Sequence, residues 1–127
     1  MFKILLVDDT KAVHAFVKDL LKSAKDIQFT DAFNGAEALE IVKRGEKFDL
    51  VLLDWEMPVK TGPECLNDLK AMGFSSPIVM MTSKNSPDEI AHLLESGAAE
   101  YMLKPFTVDI LKEKIEYVCG QVFPNVA

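Results

Sequence analysis

Five residues that can do chemistry stand where short apolar runs stop. Asp8 and Asp9 follow Ile4 to Val7, Asp54 follows Leu50 to Leu53, Thr82 follows Ile78 to Met81, and Lys104 follows Tyr101 to Leu103. Taken singly, each has an ordinary use: Asp9 or Thr10 as a helix cap, Asp54 as a turn starter, Thr82 as a β-branched strand end, Lys104 as a solvated side chain. Gathered at one mouth they mean more. Carboxylates brought together repel, each close pair by about 4 kcal/mol at 4 Å and an effective dielectric of 20, and a divalent cation removes that conflict. The donors are all oxygen, and no histidine or cysteine stands at these ends, so Mg²⁺, or Mn²⁺ in its place, suits the set better than Zn²⁺. Mg²⁺ keeps several waters and takes one or two protein carboxylates, which leaves positions open to a phosphoryl oxygen. With Lys104 as a movable positive charge and Thr82 as a hydroxyl donor, the set holds the parts for placing a phosphoryl group on a carboxylate: nucleophile, charge neutraliser, clamp and hydrogen-bond partner.

These positions converge only if the chain between them supplies the right elements. The four apolar runs are short and continuous, as strands buried on both faces of a parallel sheet are. A fifth stretch, Gln28 to Phe33, alternates and reads as an edge. Between the runs the period becomes helical. Val13, Phe16, Val17, Leu20, Leu21 and Ala24 form one stripe, with Lys11, Lys18, Lys22 and Lys25 largely outside it as a solvated face. Asn34 with Glu37 resembles a capping box opening a helix to about Lys43, with Gly45 at its exit. Gly62 to Met72 predicts a third helix with Cys65, Leu66 and Leu69 turned inward. Ser86, Pro87 and Glu89 take the N-cap, N1 and N3 positions of a fourth, closed by Gly97. Thr107 opens a fifth, with Leu111, Ile115 and Val118 inward, up to Gly120. Strands alternating with helices predict an α/β, doubly wound parallel sheet with right-handed crossovers. A helix after each strand puts the strands' carboxyl ends on one edge, where ligands of such folds bind.

The 127 residues predict one domain spanning 1–127, with no linker, repeat or low-complexity segment. Fourteen basic against twenty acidic residues give a net charge of −6, which opposes binding to nucleic acid or an anionic membrane surface. No apolar run approaches the ~20 residues of a membrane helix, so membrane insertion is not expected. Lys3 to Val7 is too brief for a signal-peptide core and runs into two acids, so export is not expected either. Cys65 and Cys119 are too few for a disulfide framework, and the expected compartment is the reducing cytoplasm. His14 and His92 read as ordinary helical residues, and Met80, Met81 and Met102 as core fillers.

Four segments carry a resemblance: Ile4-Leu5-Leu6-Val7-Asp8-Asp9, Asp54-Trp55-Glu56-Met57-Pro58, Met80-Met81-Thr82-Ser83, and Gly97-Ala98-Ala99-Glu100-Tyr101-Met102-Leu103-Lys104-Pro105-Phe106. In order and spacing they resemble a bacterial response-regulator receiver domain of the CheY-like single-domain kind, over nearly the whole chain. The resemblance implies a flavodoxin-like five-stranded parallel sheet, order 2-1-3-4-5, with five helices. It implies that Asp54 is the phosphoacceptor, taking a phosphoryl group from the phosphohistidine of a sensor histidine kinase or a phosphotransfer protein. Asp9 and Asp54 would bind Mg²⁺ directly and Asp8 mainly through water, with the backbone carbonyl of Glu56 completing the protein ligands. Lys104 would pair with the phosphoryl group, its bond to Pro105 would be cis, and Thr82 would donate to a phosphoryl oxygen. Tyr101 would swing inward with Thr82 and change the face made by the fourth helix, fifth strand and fifth helix. The implied effector is one such as a flagellar motor switch protein, or a phosphorelay partner. The implied state is a monomer, and the implied chemistry is self-phosphorylation and slow autodephosphorylation rather than turnover of a metabolite.

Two features depart from the pattern. Glu56 puts a carboxylate at the rim where many relatives carry a smaller or neutral side chain, within reach of Lys84. Val59-Lys60-Thr61-Gly62 differs from the usual segment after the acceptor. Three rival readings remain at this level. A small phosphohydrolase would use Asp54 as nucleophile and Glu56 as acid, although a cap domain to hold substrate has no room here. A flavodoxin-like electron carrier would need a hydroxyl- and glycine-rich phosphate loop where Asp8-Asp9 puts anions. The third is a receiver-shaped scaffold that is never phosphorylated.

Overall fold

Within residues 1–120, which the computed structural model describes, β1 (Phe2–Val7), β2 (Ile27–Ala32), β3 (Leu50–Asp54), β4 (Ile78–Thr82) and β5 (Glu100–Leu103) alternate with α1 (Lys11–Leu20), α2 (Gly35–Lys43), α3 (Gly62–Ala71), α4 (Pro87–Glu95) and α5 (Val108–Cys119). The strands form one parallel sheet in the order β2-β1-β3-β4-β5, as the resemblance implies. Alternate side chains of each central strand feed opposite layers. Leu5, Val7, Val51, Leu53, Ile78 and Met80 pack with Ala38 of α2, Cys65, Leu66 and Leu69 of α3, and Leu93 of α4. Ile4, Leu6, Leu50, Leu52, Val79 and Met81 pack with Val17 of α1 and with Leu111 and Ile115 of α5. Burial on both faces explains why these strands read as unbroken apolar runs. No helix among the described residues is long and apolar enough to cross a membrane.

Several local expectations are corrected. The first helix ends at Leu20, before Ala24, because Lys22 N–H donates to Asp19 and Ala24 N–H to Leu21, bonds that tighten the chain out of the α-helix towards β2, although Ala24 still packs against the core. The apolar stripe holds at Val13, Val17, Leu20 and Leu21 but not at Phe16, which is 41% exposed and meets Phe106 at a tilted 5.6 Å, while His14 is buried instead. The last strand is an edge rather than a doubly buried run: Met102 is buried, Tyr101 half-buried and Leu103 exposed. Glu37 reaches back to the N–H of Phe33, one residue before the cap, while Asn34 accepts from Glu37 N–H at 2.8 Å.

The full capping box belongs to α3, where Thr61 Oγ1 accepts from Glu64 N–H at 3.3 Å and Glu64 Oε1 accepts from Thr61 N–H at 2.9 Å. Ser86, expected to cap α4 with its side chain, makes no such bond, and Pro87 at N1 starts that helix. Thr61→Ala should therefore cost about 1 kcal/mol and Ser86→Ala less than about 0.5 kcal/mol, read as shifts in the urea unfolding midpoint at unchanged slope.

Candidate functional site

β1 and β3 are neighbours with Val7 opposite Leu53, so Asp8 and Asp54 emerge side by side at the carboxyl edge. Asp8 is fully buried and heavily bonded. Its N–H donates to Ala32 O at 3.1 Å, and its Oδ1 accepts from Thr10 N–H and Thr10 Oγ1, both at 2.9 Å. Lys104 continues the ladder beyond β5, its N–H donating to Thr82 O at 2.8 Å, and the Lys104–Pro105 bond is cis. From there Lys104 Nζ reaches Asp54 Oδ1 at 2.7 Å and Asp8 Oδ2 at 3.0 Å. Asp9 stays exposed at the rim. Oxygens of Asp8, Asp9 and Asp54 lie within 4.8 Å of one another, and a cavity of about 220 Å³ lined by Asp9, Asp54, Glu56, Thr82 and Lys104, with Trp55 and Ser83, opens above them. An oxygen-only donor set, with one acid at the rim and Asp54 only 5% exposed, fits a hard divalent cation such as Mg²⁺.

The electrostatics follow from burial and from the three like charges. Burial pushes Asp54 up to about 6, with Asp8 and Asp9 adding to the rise and the Lys104 hydrogen bond opposing it. Burial would lower Lys104, but the hydrogen bonds and charges of Asp54 and Asp8 outweigh it and hold the ammonium above its ordinary value. Neither thiol is a competing nucleophile, since burial pushes Cys65 up to about 12 and Cys119 up to about 11.

Thr82 is buried, and its Oγ1 accepts from Lys84 N–H at 2.9 Å, which leaves its own hydrogen available to a cavity ligand. The Glu56 carboxylate points to the rim, where Lys84 Nζ stands 3.9 Å from it, 3.8 Å from Glu89, and 5.7 Å from the Trp55 ring centroid. Of the residues singled out in the sequence, Asp8, Asp9, Asp54, Thr82 and Lys104 come together, and Glu56 lines the same cavity. Tyr101 does not line it. Its ring is half-buried on β5, with Lys114 Nζ 5.5 Å above the centroid and paired to Glu100 at 3.5 Å.

Two contributors escaped the sequence reading. Gly62 reads there only as a helix start, but a Cβ at this position would lie 2.2 Å from the Asp54 carbonyl oxygen, and its N–H donates to Trp55 O at 2.8 Å. His14 is buried against the Asp8 main chain rather than being an ordinary helical residue. Its place three residues before Val17 and seven before Leu21 was the available signal. Between Glu56 and Gly62, Val59 carries φ 70° at 82% exposure, with Lys60 N–H donating to Pro58 O across it at 2.7 Å. A left-handed φ is unusual for a β-branched residue.

A family model described as the response regulator receiver domain matches residues 4–116. The chain belongs to that family. As a receiver domain it is a signalling domain of two-component response regulators. It is 34% identical over 122 residues to chemotaxis protein CheY of Pseudomonas aeruginosa, covering 94% of this chain and 98% of that protein. It is 38% identical over 116 residues to the transcriptional regulatory protein CiaR of Streptococcus pneumoniae, covering 91% of this chain and only 50% of CiaR. This receiver domain thus spans about half the length of one curated relative and nearly all of the other. Among solved structures, the receiver domain of Francisella response regulator 1452 aligns with a TM-score of 0.85 at 28% identity, over 94% of this chain and 98% of that one. Chemotaxis response regulator CheY4 of Vibrio cholerae aligns at 0.84 and 29%, over 93% and 98%.

A carboxyl raised in the folded state binds protons more tightly there than in the unfolded chain. Its contribution to stability therefore falls as pH rises from about 4 to about 6, and the full penalty stands above that range. In EDTA at neutral pH, Asp54→Asn should raise the melting temperature by about 5 °C. That gain should fade as pH falls through about 6 towards 4, as followed by circular dichroism.

Proposed function

We propose that this receiver domain accepts a phosphoryl group on Asp54 from the phosphohistidine of a sensor histidine kinase or phosphotransfer protein, and thereby changes its face for a downstream partner. The observation that carries the reading is the Lys104 ammonium shared between Asp8 and Asp54 beside a third acid, at the mouth of a cavity of phosphoryl size. An oxygen of Asp54 forms the new O–P bond as the P–N bond of the donor breaks. The electron pair leaves with the imidazole nitrogen, which takes a proton from solvent. Asp8, Asp9, Asp54 and the Glu56 carbonyl would hold Mg²⁺, which when bound neutralises charge between the acceptor and the phosphoryl oxygens. Lys104 turns from the carboxylates to the phosphoryl group, and the Thr82 hydroxyl donates to it.

Thr82 is also the output. Its hydrogen bond to the phosphoryl group draws the β4 end inward, and Tyr101 on the neighbouring strand follows, reshaping the face made by α4, β5 and α5. A shift from 1:99 to 99:1 requires roughly 5.5 kcal/mol of differential interaction, and one charge-assisted hydrogen bond supplies about 1.5 to 3. Lys104 contacts and partner binding supply the remainder. Similarity to chemotaxis proteins along nearly their full length supports a role in chemotaxis and motility, in the cytoplasm, with an effector such as a flagellar motor switch protein.

Trp55, the chain's one tryptophan, lines the cavity and reports directly. Its fluorescence should change on adding millimolar Mg²⁺ and change again with acetyl phosphate, the second response vanishing in Asp54→Asn. A second response that survives in Asp54→Asn, or turnover of many phosphate esters per molecule, overturns the reading. The Glu56–Lys84 pair at the rim obstructs an attacking water. Glu56→Asn should therefore lose aspartyl phosphate faster than the parent, by up to about fivefold for a partly exposed pair, followed as decay of the labelled protein.

A further inference from the structure

His14 lies on α1 outside the acceptor cavity, and the phosphoryl chemistry does not use it. It is only 4% exposed, and its ring stacks on Phe33 with centroids 4.3 Å apart. Nδ1 stands 2.7 Å from Asp31 Oδ1, and Nε2 stands 2.9 Å from the main-chain oxygen of Asp8. A carbonyl oxygen only accepts. Asp31 also only accepts, because Lys18 Nζ at 2.7 Å on its other oxygen holds it ionised. Burial pushes the Asp31 carboxyl up, but the Lys18 and His14 hydrogen bonds outweigh it and leave the group below the ordinary carboxylate range. Nε2 therefore donates to the Asp8 oxygen, and Nδ1 is held against the Asp31 carboxylate. A buried polar ring is costly unless its nitrogens are bonded, so this is a poor choice of residue merely to fill space.

The peptide unit that His14 grips joins Asp8 to Asp9. Its oxygen is the His14 acceptor, its nitrogen belongs to Asp9, and any rotation of that plane swings the Asp9 carboxylate relative to Asp8. On the other side of Asp8, the N–H is fixed to Ala32 of β2. We propose that His14 is a positioning residue: held by Asp31 at the edge strand, it locks the Asp8–Asp9 peptide plane so that both carboxylates face Asp54. The proposal rests on the reading of the acidic cluster as a Mg²⁺-dependent acceptor site. It adds a second line of support, running from β2 through α1, to residues that β1 alone would leave on a free turn.

The test compares the parent with His14→Phe, which keeps an aromatic ring and removes both nitrogens, and with His14→Gln, which keeps an amide donor. Val17→Ala, a core cavity on the same helix, controls for lost stability. Mg²⁺ titrations read by Trp55 fluorescence should show affinity weakened about five- to thirtyfold in His14→Phe and less in His14→Gln. Val17→Ala should lower the melting temperature while binding Mg²⁺ like the parent. In EDTA, hydrogen exchange at the Asp8, Asp9 and Thr10 amides should quicken in His14→Phe and not in Val17→Ala. Parent-like Mg²⁺ affinity together with parent-like exchange in His14→Phe overturns the proposal. If that variant does not fold, the same two readouts on His14→Gln decide it. If the parent itself shows no response to Mg²⁺, the acceptor reading fails instead, and exchange in EDTA still decides whether His14 holds the turn.

Discussion

One ammonium shared by two carboxylates organises the carboxyl edge of this sheet. Asp8 and Asp54 arrive as neighbours because β1 and β3 pair in register, and two buried anions at that distance would repel strongly in a poorly screened site. Lys104 crosses from the end of β5 to lie against both. A buried ion pair of this kind is a weak source of stability, since desolvation offsets most of the attraction. What it supplies is one counter-charge shared by two neighbouring acids. Meanwhile Asp54, held above its ordinary range by burial, remains an acid with an incentive to find a better counter-charge.

The architecture was legible in the sequence because doubly buried parallel strands and amphipathic helices write different periods. Asp8, Asp54, Thr82 and Lys104 were legible because each terminates an apolar run. Where the reading slipped, the cause was tertiary. Phe16 and His14 differ by two positions on one helix, and hydrophobicity alone assigns the inward place to phenylalanine. The buried carbonyl of Asp8 and the carboxylate of Asp31 reverse that choice. Gly62 gave no local sign of its role, because the constraint is the Asp54 carbonyl folded against it from another element. The edge character of β5 was hidden for a related reason. Tyr101 and Leu103 are apolar enough to read as core, yet no described strand pairs beyond β5 in the sheet.

The rim and the surface of β5 and α5 both have long cations lying over aromatic rings. Lys84 lies over Trp55 while facing Glu56 and Glu89, and Lys114 lies over Tyr101 while facing Glu100. Each contact is exposed or half-exposed and individually weak. Groups held this way can be rearranged at small cost, unlike the tightly bonded Asp8 turn beneath them.

Around Asp54 the contrast is between close backbone contact on one side and long, partly exposed side chains on the other. Helix α3 begins with its backbone wedged against the carbonyl of the very residue that would be modified, with no space for even a methyl group between them. A side chain at Gly62 would have to push the start of α3 away from the strand that ends in Asp54. The hydrogen on one glycine thus sets how near a helix can sit to the buried acid, as a thin washer sets the gap between two plates.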